Sequence, residues 1–191
     1  MMGGQLIYLV GPSGSGKDSI LRELSVQMPN QYRVMKRVVT RCHGLDVDDE
    51  ELISESEFQR LESETAFALV WRANGLAYGI KKELDQHLHN GELVFVNGSR
   101  EYWPQVIEKY PQAILVLVQT PNELLSQRLL ARGRETVEEI ELRLERNHLM
   151  AQELRHQVDS LGFDFWLIDN SGDLSDTVDS LRQKLLALGY V

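Results

Sequence analysis

The chain has 191 residues, enough for one domain or a domain with a small insert, and enough to bury a real core. Its 20 basic and 29 acidic residues leave a net charge of −9, which argues against nucleic acid or a membrane surface as a partner. Cys42 is the only cysteine, which excludes an intramolecular disulfide and a cysteine metal cluster.

The start, Met1-Met2-Gly3-Gly4, carries no basic region and leads straight into an apolar run, so no signal peptide is expected. No apolar run nears the roughly 18 residues of a membrane span. A cytoplasmic protein is the expectation.

Leu6-Ile7-Tyr8-Leu9-Val10 reads as a buried strand. Asp18-Ser19-Ile20-Leu21-Arg22-Glu23-Leu24 has helical apolar spacing and predicts a helix to about Met28. Between them lies Gly11-Pro12-Ser13-Gly14-Ser15-Gly16-Lys17, the pattern G-x-x-x-x-G-K in the strand–loop–helix setting that gives it meaning. Glycines let the backbone curl until successive N–H groups face one phosphate, and the helix N-terminus adds positive potential there. Lys17 adds a full charge within reach of outer phosphates. Gly11 to Asp18 is thus the expected ATP-binding stretch.

Asp18 stands where this pattern usually has the Ser or Thr that ligates Mg²⁺. A carboxylate is also a good hard ligand for Mg²⁺. It equally suits the first turn of a helix by opposing the dipole. The residues alone leave both readings open.

Tyr32 to Val39 reads as one strand delivering Thr40-Arg41 at its end. Cys42 to Glu51 reads as a solvated acidic loop. Ser54-Glu55-Ser56-Glu57 predicts a capping box opening a short helix. Ala66 to Trp71 reads as a strand, with a turn at Asn74-Gly75. Residues 34 to 80 look like a small insert rather than a regular strand–helix unit.

Regular alternation then resumes. Glu83 to Asn90 reads as a helix stopped by Gly91, and Leu93 to Val96 as a buried strand ending in Asn97-Gly98-Ser99-Arg100. A helix runs through Val106 to Tyr110, and Ala113 to Val118 is another strand. Thr120-Pro121-Asn122-Glu123 predicts a second capping box, on a helix running to Arg132-Gly133. Thr136-x-x-Glu139 opens a long helix to about Ser160. Phe163 to Ile168 is the last strand and Asp173 to Leu188 the last helix.

This alternation implies an α/β fold with a parallel central sheet covered on both faces. Ligands then bind beyond the carboxyl ends of the strands. The phosphate loop, Thr40-Arg41 and Asn97-Gly98-Ser99-Arg100 all fall at such ends.

Arg128, Arg132, Arg134 and Arg143 cluster around the Gly133 hinge. Mobile arginines closing over a phosphoryl group are a common device of phosphoryl transfer. The five histidines form no ligand pattern, and no Ser-His-Asp order appears. Trp71, Trp103 and Trp166 read as core or interface residues. Transfer onto an existing phosphate needs no general base, because the attacking oxygen is already anionic near neutral pH. Arginines without an obvious base suit that chemistry.

Over nearly its whole length the chain resembles the guanylate-kinase-like P-loop kinases. The residues that carry this are the phosphate loop, Thr40-Arg41, Ile53 to Phe58, Tyr78-Gly79, Arg132-Gly133-Arg134, and Phe163 to Asn170. The resemblance implies a three-layer P-loop fold with a core of 1–33 and 81–191, an acceptor-binding insert at about 34–80 and a lid at about 132–150. It implies ATP and Mg²⁺ as cofactors and small-molecule substrates, with no nucleic acid and no membrane as partners, and it admits a homodimer. Lys17, Arg132, Arg134 and Arg143 are the expected catalytic residues. Arg41, Tyr78, Asn97, Ser99 and Arg100 are expected to bind the acceptor, and Asp18 the metal.

Two departures stand out. Leu69 occupies the place of the Glu that reads guanine, and Phe95 and Asn97 lie where guanylate kinases carry an acidic pair. The branch of the family that phosphorylates ribose 1,5-bisphosphate is more similar. It shares the run Gly16-Lys17-Asp18-Ser19, the stretch Trp71 to Gly79, Val96 to Arg100, and Arg132 to Glu135. That likeness implies formation of 5-phospho-α-D-ribose 1-diphosphate, in phosphonate breakdown and in supply for nucleotide and NAD synthesis. Guanylate kinase, another small-molecule kinase of this fold, and a non-catalytic binding module of the same fold are the alternatives.

Overall fold

The computed structural model describes residues 3–41, 49–133, 136–162 and 165–189. The chain divides into two compact units, one of residues 1–8 and 29–113, the other of residues 9–28 and 114–191.

In the first unit, β1 (Gln5–Val10) begins beside β7 (Leu93–Asn97), and β7 pairs in parallel with β2 (Arg33–Val34). Residues Val94, Phe95 and Val96 of β7 are fully buried, so the run carries no polar alternation. Each such side chain stabilises the fold by roughly 1.5–3 kcal/mol. Helix α3 (Glu83–His89) and helix α4 (Trp103–Lys109) complete this layer, with a 3-10 turn at Arg100–Tyr102 before α4.

A second sheet of the same unit has the order β4-β3-β6-β5. Its strands are β3 (Arg37–Thr40), β4 (Glu50–Ile53), β5 (Phe67–Ala73) and β6 (Leu76–Lys81). Asn74 and Gly75 both take positive φ, 52° and 74°, as a tight hairpin turn requires. Val38, Phe58, Phe67 and Ala77 form a buried cluster that joins one face of this sheet to helix α2 (Glu55–Ser63).

In the second unit, the end of β1 lies beside β8 (Ile114–Gln119), which pairs in parallel with β9 (Phe165–Asp169). Helices α1 (Lys17–Gln27), α5 (Asn122–Arg132), α6 (Val137–Leu161) and α7 (Leu174–Ala187) belong to this unit, with α1 packed on α7 and α5 on α6. Thr136 and Glu139 form the expected capping box of α6.

Four expectations are corrected. The run Tyr32 to Val39 is two strands, because Val34 pairs with Phe95 in one sheet while Arg37 pairs with Glu50 in the other. Glu50 and Glu51 are strand residues rather than loop, since Arg37 and Lys81 satisfy their carboxylates; residues 42–48 lie outside the described residues. The Ser54 box is half made: Ser54 accepts from the Glu57 N–H, but the Glu57 carboxylate is taken by Arg60. Thr120 caps nothing, because its hydroxyl points elsewhere.

Candidate active site

The phosphate loop belongs wholly to the second unit. Lys17 Nζ donates to the carbonyls of Gly11, at 2.9 Å, and Pro12, at 3.1 Å. These bonds fold the lysine back over the loop it follows. The Ser15 N–H donates to the Pro12 carbonyl at 3.1 Å, closing the turn. Gly16 has φ 90°, and a Cβ there would overlap the Asn170 amide, so only glycine fits.

The loop carbonyls are held from outside. Asn170 Nδ2 donates to the Ser15 carbonyl at 2.6 Å, and Thr120 Oγ1 to the same oxygen at 3.3 Å. Arg128 Nη1 donates to the Gly14 carbonyl at 3.2 Å. Thr177 Oγ1 stands 3.0 Å from Asn170 Oδ1, within reach to donate to it. With the Gly14 and Ser15 carbonyls satisfied by side chains, the loop is fixed in shape, as a phosphate cradle must be.

Asp18 stands in the first turn of α1. Among the described residues no group of three or more His, Cys, Asp or Glu is placed to hold a metal. The donor set nevertheless fits Mg²⁺, which commonly takes one or two carboxylates and completes its shell with phosphate oxygens and water. When bound, such a cation would neutralise charge on the phosphates.

Of the expected arginines, Arg132 ends α5, with Gly133 at φ 62° as its left-handed cap. Arg143 lies half-buried on α6, and Arg134 lies outside the described residues. Arg128 is tied to the loop through the Gly14 carbonyl.

The acceptor candidates belong to the first unit. Side chains alternate along a strand and paired residues share a face. Val38, Thr40 and Ala77 face α2, so Arg37 and Val39 face the other way, and Arg41, just past the strand end, shares the Glu50 carboxylate with Arg37. Tyr78 is paired with Val39, and Trp71 with Tyr78, which puts both on the Val39 face. The Trp71 and Tyr78 rings stack 5.4 Å apart at an angle of 4°. Leu69, two residues before Trp71, shares this face and is buried. Tyr102 tilts against Trp71, and its hydroxyl accepts from the Val70 N–H at 3.4 Å.

Asn97 ends β7 and is buried. Ser99 is fixed through its backbone: its N–H donates to the Tyr8 hydroxyl at 3.0 Å, and that hydroxyl donates to the Ser99 carbonyl at 3.2 Å. A Cβ on Gly98 would overlap the Tyr8 ring. Burial holds the Tyr8 pKa well above the ordinary phenol value. Arg100 follows, half-exposed, at the start of the 3-10 turn.

The guanylate kinase family model matches residues 3–188. A protein of Pseudomonas paraeruginosa named ribose 1,5-bisphosphate phosphokinase PhnN is 46% identical over 94% of each chain. Its namesake in Azotobacter vinelandii is 44% identical, again over 94% of each chain. The chain belongs to the guanylate kinase family, in its ribose 1,5-bisphosphate phosphokinase branch. The guanylate kinase of Anaplasma phagocytophilum shares the fold, with a TM-score of 0.74 over 97% of this chain and 86% of that one, at 19% identity. An α/β fold with a parallel central sheet and a phosphotransferase activity follow for this member of the guanylate kinase family.

Sequence reading of this kinase missed Thr120, Thr177 and Glu50. Thr120 was taken by a capping pattern. Thr177 and Glu50 carry no motif, since their partners lie far away in sequence. Asn170 entered only through family likeness.

Proposed function

We propose that the protein transfers the γ-phosphoryl group of ATP to the 1-phosphate of ribose 1,5-bisphosphate, giving 5-phospho-α-D-ribose 1-diphosphate and ADP. An oxygen of the acceptor phosphate forms the new P–O bond, and the bond from the γ-phosphorus to the β,γ-bridging oxygen breaks. The observation that carries the reading is Leu69. It lies on the same sheet face as Tyr78, buried and apolar, where guanylate kinases carry the Glu that reads guanine. A face that keeps a phosphate grip and lacks a base reader suits a phosphorylated sugar. The relatives named for this activity support the same choice.

In this reading the phosphate loop and Lys17 hold the β- and γ-phosphates, and Lys17 meets charge that develops on transfer. Arg41 and Tyr78 hold an acceptor phosphate, with Asn97, Ser99 and Arg100 near sugar hydroxyls or the second phosphate. Residues 34–80 serve as acceptor-binding insert and 132–150 as lid, with Arg132, Arg134 and Arg143 neutralising the transferred group. Mg²⁺ bound with help from Asp18 neutralises the polyphosphate. The enzyme works in the cytoplasm, where ATP is abundant, and serves phosphonate breakdown.

The test compares kcat/KM for ribose 1,5-bisphosphate and GMP at fixed ATP and Mg²⁺. A buried donor left without its partner costs about 1–3 kcal/mol, roughly 5- to 150-fold. With two guanine N–H groups affected, GMP is expected to be worse by on the order of 10² or more. Equal turnover of GMP would restore plain guanylate kinase. No turnover with any phosphate acceptor, despite ATP binding, would leave a non-catalytic module.

A further inference from the structure

Glu50 lies opposite Arg37 in the parallel register of β3 and β4. Its carboxylate accepts from Arg37 Nη2 at 2.9 Å and from Arg41 Nη1 at 3.4 Å. The Glu50 side chain is 7% exposed, against 17% for Arg37 and 35% for Arg41. The carboxylate is therefore the buried hub, and Arg41 runs from it toward solvent. Arg37 leaves the face that also carries Tyr78, and Arg41, one residue past the end of the strand, reaches the same carboxylate.

We propose that Glu50 is a positioning residue for Arg41, fixing the direction in which its guanidinium meets the acceptor phosphate. The proposal rests on the reading of this face as the phosphate grip. A guanidinium carries five N–H donors in a planar fork. One bonded to Glu50 anchors the fork at one end and leaves others for a ligand. The need is local: past Thr40 the chain bends, with the Arg41 N–H bonded to the Val39 carbonyl, and the ladder to β4 ends at Thr40 and Ile53. A long side chain at a strand end would otherwise lose much rotamer freedom on gripping a phosphate.

Arg37 shares the Glu50 carboxylate, so Arg41 is not its sole counter-charge.

The experiment is a double-mutant cycle read on ATP and ribose 1,5-bisphosphate, with Glu50→Gln, Arg41→Ala and the pair together. Glu50→Gln is expected to raise the KM for ribose 1,5-bisphosphate about tenfold, with the KM for ATP within about twofold of wild type. In the Arg41→Ala background the same change should cost less than about twofold further. Glu50→Ala should repeat the pattern; if it folds poorly, the isosteric Glu50→Gln carries the test. Equal losses in both backgrounds would mean that Glu50 acts independently of Arg41 and would overturn the proposal. So would a parallel rise in both KM values, the mark of a merely structural role. A lower acceptor KM in Glu50→Gln would show a repelling charge only and would also overturn it. If Arg41→Ala alone leaves the acceptor KM unchanged with Glu50 intact, the phosphate-grip reading fails, and the role of Glu50 falls with it.

Discussion

Asn170 donates its side-chain amide to the carbonyl of Ser15 at 2.6 Å, and so ties the residue after the last strand to the phosphate loop 155 residues earlier. Both residues are buried, and Thr177 Oγ1 lies 3.0 Å from the other end of the same amide. A loop whose job is to present N–H groups must have its carbonyls satisfied elsewhere.

Asn170→Ala leaves the Ser15 carbonyl with Thr120 at 3.3 Å as its remaining side-chain donor. The expected cost is about 1–3 kcal/mol of stability. The KM for ATP should rise while that for the acceptor stays. Urea unfolding and steady-state kinetics check both; an unchanged ATP KM would reduce Asn170 to a structural tether.

On the proposed function Lys17 meets charge that develops on the transferred group, so Lys17→Ala should nearly abolish turnover; losing one such contact costs on the order of 10²–10³ in kcat. Its bonds to the Gly11 and Pro12 carbonyls are part-buried, so unfolding should shift by only about 0.5–1.5 kcal/mol per bond. Retained activity within a few-fold would remove this loop as the ATP site.

Asp18→Ala should raise the Mg²⁺ concentration needed for half-maximal activity, and Asp18→Ser should partly restore it, since a hydroxyl can also ligate the ion. A titration of rate against free Mg²⁺ at fixed ATP decides. Identical curves for wild type and both variants would leave Asp18 as an acid favoured by the helix dipole.

Tyr8 and Tyr110 both have pKa values held above the ordinary phenol value, first by burial; for Tyr110, the bond to Asp85 adds to the rise. The unfolded chain releases these protons near pH 10, before the folded one does. Above that pH the unfolded state binds fewer protons, so stability falls with rising pH. The stability these groups contribute should be intact below about pH 10 and decline beyond it. Tyr8→Phe should flatten part of that decline and lower stability at neutral pH by about 0.5–1.5 kcal/mol through the lost Ser99 bonds. Thermal midpoints from pH 7 to 11 check it; an unaltered alkaline slope would take Tyr8 out of the account.

Local signals wrote the strand–loop–helix unit around Gly11 to Lys17 plainly. The spacing of Gly11, Gly16 and Lys17 between an apolar run and a helical pattern needs only neighbours in the chain. The Asn74-Gly75 hairpin and the Thr136–Glu139 box were legible for the same reason: each is closed by atoms a few residues apart. Arg41 and Tyr78 were legible as a likeness, but the face that carries Tyr78 rests on the register Val39–Tyr78, which is a pairing between strands.

What sequence could not write was the choice of partner for a side chain with several options. Thr120 fits a capping pattern, yet its hydroxyl goes to Ser15, more than a hundred residues away. Glu50 reads as one more acid in an acidic loop, yet it is buried where Arg37 on the neighbouring strand and Arg41 just past its end meet it. The run from Tyr32 to Val39 has the composition of one strand, and the two sheets competing for it divide it. In each case a short-range rule was in force, and a long-range hydrogen bond or ion pair, stronger for being buried, took precedence over it.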